Sequence, residues 1–224
     1  MRRSSRALWE VVHDERRRLV GHLADLSVAQ WGTASLCPGW DVHDVLAHLV
    51  DTALTGRLSF VRDMIAARMD FDRANERGIA RARRANPRET LAELRRAADL
   101  SRTPPASLDT RLVEAVVHGE DIRRPLGIGA AYPHWAVARA LAYQLRTPVR
   151  FGGGRERAAG LMLVDTSTGT THGTGPGVEA AAVDLLMAVS GRPVAPSRLT
   201  GAGVARLVPE DMPHPDPPDQ TGRP

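Results

Sequence analysis

Ser107 to Gly127, SLDTRLVEAVVHGEDIRRPLG, carries two registers at once. Leu108, Leu112, Ala115, Val116, Gly119, Ile122 and Leu126 recur at the three- and four-residue spacing of an amphipathic helix, with Ser107 as its expected cap and Pro125 and Gly127 closing it. Glu114, His118 and Asp121 fall at i, i+4 and i+7, which stacks their side chains along one side of that helix. A helix that buries one stripe and presents a polar row beside it needs partner helices, so the flanking sequence is read for them.

Upstream, Ser5 to Leu26 repeats the pattern through Leu8, Val11, Val12, Leu19 and Leu23. The periodicity stops between Ser27 and Trp40, and Cys37-Pro38-Gly39-Trp40 is a turn signature. A helix start follows: Asp41 is a good N-cap, Asp44 sits three residues on near the positive helix end, and Trp40 is placed to staple onto Val45. Val42, Val45, Leu46, Leu49, Val50 and Ala53 form the stripe of this helix, and the pattern runs on through Phe60, Val61, Met64 and Ile65. At roughly 100° per residue His48 falls at the border of that stripe, and His43, in the first turn, is expected to face solvent. Asp70 to Ala85 reads as an Arg-rich surface helix or loop. Pro87 opens a helix through Leu91, Leu94, Ala97 and Ala98, which Thr103-Pro104-Pro105 ends, and His134 to Leu145 fits a further helix.

Around Thr147 the texture changes. Short strands are expected at Pro148 to Arg150, Leu161 to Asp165, Thr170 to His172 and Ala205 to Val208, with an Ala-rich helix over Val178 to Val189. The chain is therefore expected to be α+β, with a helical domain over residues 5–146, a small α/β domain over 147–208 and a Pro-rich disordered tail over 209–224.

Composition narrows the function classes. The net charge is +4, but every basic residue is Arg and none is Lys, alongside much Ala, Gly and Val, so the charge reflects base composition and argues for no nucleic-acid surface. Cys37 is the one cysteine, which rules out an intrachain disulfide and a Cys-rich zinc module; it reads as a half-buried loop cysteine or a reactive thiol. The basic start lacks the apolar core of a signal peptide and no 18-residue apolar run occurs, so no membrane association and a cytoplasmic location are expected.

Glu114 and His118, one turn apart, can converge on one divalent cation such as zinc. His48 is the best third ligand, because His48 and His118 each flank the apolar stripe of their helix and packing by those stripes brings flanking positions together at the rim of a bundle. Asp121 suits an outer acceptor for a ligating histidine or a salt bridge to Arg124. The same spacings equally suit an exposed polar face beside a half-buried core histidine. His13, His22, His134 and His172 have no carboxylate or histidine at helical spacing on their own face, and His214 lies in the tail.

The runs LCPGWDVHDVLAHLV, EAVVHGEDIRRPLG and GPGVEAAAVDLLMAVSGRP together resemble the mycothiol-dependent maleylpyruvate isomerase family of actinobacteria, a branch of the DinB-like metalloenzymes. The resemblance spans Ser5 to about Val208. It implies an N-terminal four-helix bundle holding a divalent metal, usually zinc, and a small C-terminal α/β domain similar to sterol carrier proteins. It implies metal ligation by His48, Glu114 and His118, use of mycothiol as a thiol cofactor, and isomerase or S-transferase chemistry on a small electrophilic substrate. Arg111 and Arg123, the arginines nearest the ligands in sequence, are candidates to hold a substrate anion. A catalytic residue beyond the bound thiol is not identified, and a non-catalytic binding module or an interaction protein on the same scaffold remain the other readings.

Overall fold

The structure, a computed structural model, describes residues 4–208, so the expected tail lies outside it. The described residues divide into a unit over 4–130 and a unit over 131–208, a boundary that falls earlier than the expected one after residue 146.

The first unit is helical. α1 (Ser5–His22) starts where the Ser4 hydroxyl accepts from the Ala7 N–H, and α2 (Val28–Trp31) is a single turn whose Ser27 and Gln30 cap each other. α3 (Val42–Leu54) opens on the expected reciprocal cap between Asp41 and Asp44. It does not run on to Ile65. The chain breaks at Thr55-Gly56 and restarts as α4 (Arg57–Ala66), in which Met64 is buried but Val61 and Ile65 are exposed, so only part of the stripe that continued in sequence reaches the core. α5 (Phe71–Ala82) is the Arg-rich segment, and Gly78, Ile79 and Ala82 seat it on α3. α6 (Pro87–Ala97) begins on its proline, and α7 (Asp109–Arg123) begins two residues after Ser107. Leu108 takes the N-cap position there without a side-chain cap, while the Ser107 hydroxyl accepts from the Asp109 N–H.

α1, α3, α6 and α7 form a four-helix bundle: α1 and α3 each pack against both α6 and α7. Its interior holds Leu19, Leu23, Leu46, Val50, Leu94 and Ile122. Gly78 lets α5 lie close to α3, since a Cβ there would come within 2.4 Å of the Asp51 carboxylate and displace that side chain.

His43 is not the solvent-facing group its place in the first turn suggested. It is 3% exposed, and its Nε2 lies 2.8 Å from the Thr90 hydroxyl on α6, so it ties α3 to α6 inside the bundle. Burial, with a smaller contribution from the Arg83 guanidinium, pushes its pKa down to about 4. The unfolded chain therefore binds a proton near the ordinary histidine value of about 6.5 while the folded chain stays neutral, so stability is full above that pH and declines as pH falls toward 4. Chemical denaturation at pH 7 and pH 5 is expected to show a loss of about 1–2 kcal/mol from this group. A His43→Gln variant should show correspondingly less pH dependence over the same interval.

In the second unit α8 (His134–Gln144) packs on α9 (Ala182–Val189), and α9 covers β1 (Met162–Asp165) and β3 (Gly177–Ala180). Strand β2 (Thr171–Gly173) completes the sheet in the order β2-β1-β3, antiparallel to β1, while β3 is parallel to it. Leu161, Leu163, Val178 and Ala180 point into the core. Three expectations change here. Val149–Phe151 is a turn of 3-10 helix, Gly177–Ala180 is a strand preceding a shorter helix, and Val204–Leu207 is a short helix, α10. The architecture is α+β, as expected.

Candidate functional site

The site is assembled by the start of α3, the turn before it and the second half of α7. Arg83, just past α5, braces the α3 N-terminus by contacting both capping carboxylates, Asp41 at 2.8 Å and Asp44 at 2.7 Å. In the preceding turn the Trp40 N–H donates to the Cys37 carbonyl at 3.1 Å, with Gly39 at a φ of 80° that a side chain would strain. The Ser35 hydroxyl and backbone N–H both donate to the Trp40 carbonyl, at 2.9 and 3.0 Å. One further bond, from the Leu36 N–H to the Asp121 carbonyl at 3.1 Å, docks this turn onto α7. Cys37 lies half-buried in the same turn.

These restraints bring Trp40 against both histidines. Its ring centroid lies 5.2 Å from that of His48 and 6.5 Å from that of His118. Trp40 thus does not serve as the expected staple alone; it walls the histidine pair. His48 and His118, from α3 and α7, meet edge to face with centroids 4.7 Å apart. The His118 Nδ1 lies 2.9 Å from the Asp121 Oδ2, and Asp121 is fully buried. That carboxylate fixes the ring and, by accepting a hydrogen bond from Nδ1–H, favours the tautomer whose Nε2 carries the lone pair. Arg124, the alternative partner considered for Asp121, pairs with Glu120 at 2.7 Å.

Glu114 does not join the pair as it stands. It is turned to Arg111 at 2.8 Å and lines a narrow crevice shared with Glu15, Arg16 and Thr52. Among the described residues no three His, Cys, Asp or Glu side chains converge on one point. The donor set suits a divalent ion in type, the spacing of the two ring centroids matches that of two imidazoles on one ion, and Glu114 stands apart on Arg111. Two imidazoles on one tetrahedral zinc, with bonds of about 2.0 Å, hold their centroids roughly 5 Å apart.

The arginines divide. Arg111 stands over the crevice, with Arg16 beside it held protonated although burial pushes its pKa down to about 10. Arg123 faces no crevice: it is fully buried and pairs with Glu15 at 2.5 Å and with His22 Nδ1 at 2.9 Å. Spacing along one helix could not reveal Trp40 as the third aromatic wall, nor Arg16, because both reach the site from other elements. The Pro-Gly-Trp turn next to a capped helix was the one local signal available.

Residues 12–109 match the family model described as the mycothiol maleylpyruvate isomerase N-terminal domain. The match covers most of the first unit and stops at the start of α7. Two crystal structures share the fold over nearly the whole chain. The mycothiol-dependent maleylpyruvate isomerase is 17% identical with a TM-score of 0.63, and a histidine-to-alanine mutant of that isomerase is 16% identical with a TM-score of 0.62; both alignments cover 95% of this chain and 95% of the other. No curated protein sequence matches the chain. No helix among the described residues is long and apolar enough to cross a membrane.

Proposed function

We propose that the protein is a metal- and mycothiol-dependent enzyme of the maleylpyruvate isomerase family, acting as an isomerase or S-transferase on a small electrophilic substrate. The observation that carries this reading is the contact of His48 with His118, at 4.7 Å, with His118 oriented by a buried carboxylate. The family match over residues 12–109 and the shared fold support it.

His48 and His118 would hold a divalent ion of the zinc type, with Glu114 as third ligand once its side chain turns from Arg111, and the bound ion would lower the pKa of the mycothiol thiol so that a thiolate is present at neutral pH. Asp121 keeps His118 in the tautomer that donates from Nε2. Trp40 covers one side of the pair. Arg111 and Arg16 are buried in a crevice of about 10 Å³, which has no room for a substrate carboxylate, so Arg111 serves there as the partner of Glu114.

A thermal shift experiment tests thiol use. With metal supplied, mycothiol at about 100 times its dissociation constant should stabilise the fold by about 2.7 kcal/mol, roughly 5–10 °C in Tm. An unchanged Tm at millimolar mycothiol would remove the thiol from the proposal and leave a metal-binding module.

A further inference from the structure

We propose that the outer face of α4 is an interface between two copies of this chain, paired about a twofold axis with their α4 helices antiparallel. The proposal does not rest on the enzymatic reading, since none of the residues that carry it belongs to the histidine site.

α4 is apolar on two sides. Its inner side buries Met64, and Ala67 just past its end is buried too. α5 packs against it, with the rings of Phe60 and Phe71 6.4 Å apart. At about 100° per residue, Leu58, Val61 and Ile65 fall within roughly 60° of one another on the outer side. They are 88%, 46% and 67% exposed. A surface helix carries polar residues at such positions, whereas a helix apolar on more than one side is one that is covered on each. The exit from α4 adds to this. Arg68 and Met69 are non-glycine residues at left-handed φ of 58° and 62°, a backbone that persists where surrounding contacts compensate for it. The Met69 N–H donates to the Met64 carbonyl at 2.8 Å, yet Met69 is left 68% exposed.

Size and charge identify the occupant. At about 200 Å² for a fully exposed large residue, Leu58, Val61 and Ile65 present roughly 400 Å², and Leu54 and Met69, just beyond the two ends of α4, bring this to roughly 600 Å². One partner of a standard interface buries about 800 Å², of which about 60% is apolar, so the area is what a stable dimer needs. A lipid surface calls for about four to eight clustered cations, but α4 carries only Arg57 and Arg62 against Asp63, and Asp63 holds Arg62 at 3.0 Å. In the antiparallel pair Leu58 of one copy meets Ile65 of the other, with Val61 next to the axis. Arg57, whose guanidinium has no partner among the described residues, then comes to the carbonyl end of the facing helix, its negative pole.

Sedimentation velocity of the full chain tests this. At about 100 µM the chain should run mainly as a species of twice its 24.2 kDa mass. Leu58→Glu and Ile65→Glu, each at an exposed position, should leave helix content unchanged and raise the dissociation constant about 100-fold or more, because the twofold buries the new carboxylate twice. In a Cys37→Ser background, mild oxidation of Val61→Cys should cross-link two copies, while Arg95→Cys, exposed on α6, should not cross-link. A monomer at about 100 µM, a dimer that both glutamate variants leave intact, or equal cross-linking through Arg95→Cys would overturn the proposal. So would a monomer that sediments with phosphatidylserine vesicles and loses this in Ile65→Glu, which would assign the face to a lipid surface.

Discussion

Replacing His48 or His118 by alanine is expected to take bound metal from about one ion per chain to near zero after reconstitution and dialysis, because the proposed site, once it loses one imidazole, would retain too few donors. Elemental analysis of the purified chain reads this directly, and circular dichroism should show helix content unchanged. Asp121→Asn should behave differently. It keeps both rings but weakens the acceptor that orients His118 at 2.9 Å, so metal affinity should fall by about 10- to 100-fold in a chelator competition while stoichiometry at excess metal stays near one. Glu114→Gln decides whether the carboxylate leaves Arg111 for the ion: a loss comparable to that of the histidine variants supports it, and unaltered affinity would show that Glu114 belongs to the Arg111 pair alone. A wild type that takes up no zinc, manganese or iron after reconstitution would sink the metal site and the enzymatic reading with it.

What was legible in the sequence is what local chemistry determines. The start of α3 could be read from Asp41 and Asp44 because a capping box is complete within four residues. The Glu114, His118 and Asp121 row could be read because all three lie within one uninterrupted helix whose period is known. The illegible parts depend on partners distant in sequence. Val178 to Ala180 has the composition of a helix start, yet parallel pairing with β1 makes it a strand whose burial alternates, and only the position of β1 decides between these. Val61 and Ile65 continue the α3 stripe in number but not in space, since Thr55 and Gly56 take extended backbone and end the helix, leaving Met64 as the buried member of the continuation. His43 looked like a first-turn surface residue because nothing local announces that α6 brings Thr90 to it. The site shows the same division. His48 and His118 were legible as flanking positions on two helices, whereas the engagement of Glu114 by Arg111 is a choice of side-chain rotamer that spacing does not fix.

Arg123→Met is expected to be the most destabilising single substitution outside the apolar core. Arg123 is fully buried, and its guanidinium pairs with Glu15 at 2.5 Å, so its removal leaves Glu15, 4% exposed, with only the half-exposed Arg18 at 3.2 Å. Breaking one side of a buried pair costs about 3–5 kcal/mol, which for a chain of this size lowers Tm by roughly 10 °C or more. The pH dependence identifies the cause. Burial already holds the Glu15 carboxyl above the usual carboxylate range, against the opposing pull of Arg123, and without Arg123 it must rise further. A carboxyl whose folded pKa is raised binds its proton more readily in the folded state, so stability is greatest below the unfolded value and is lost as pH climbs through the folded one. Denaturation of Arg123→Met should therefore show stability recovering as pH is lowered from 7 toward 5, the reverse of the contribution from His43. The double variant Glu15→Leu with Arg123→Met removes both charges and should return stability to near that of the wild type or above it, because a well-packed apolar pair replaces an ion pair that had to be desolvated. A double variant no more stable than Arg123→Met would show instead that Arg123 acts mainly through its 2.9 Å bond to His22 and its packing between α1 and α7.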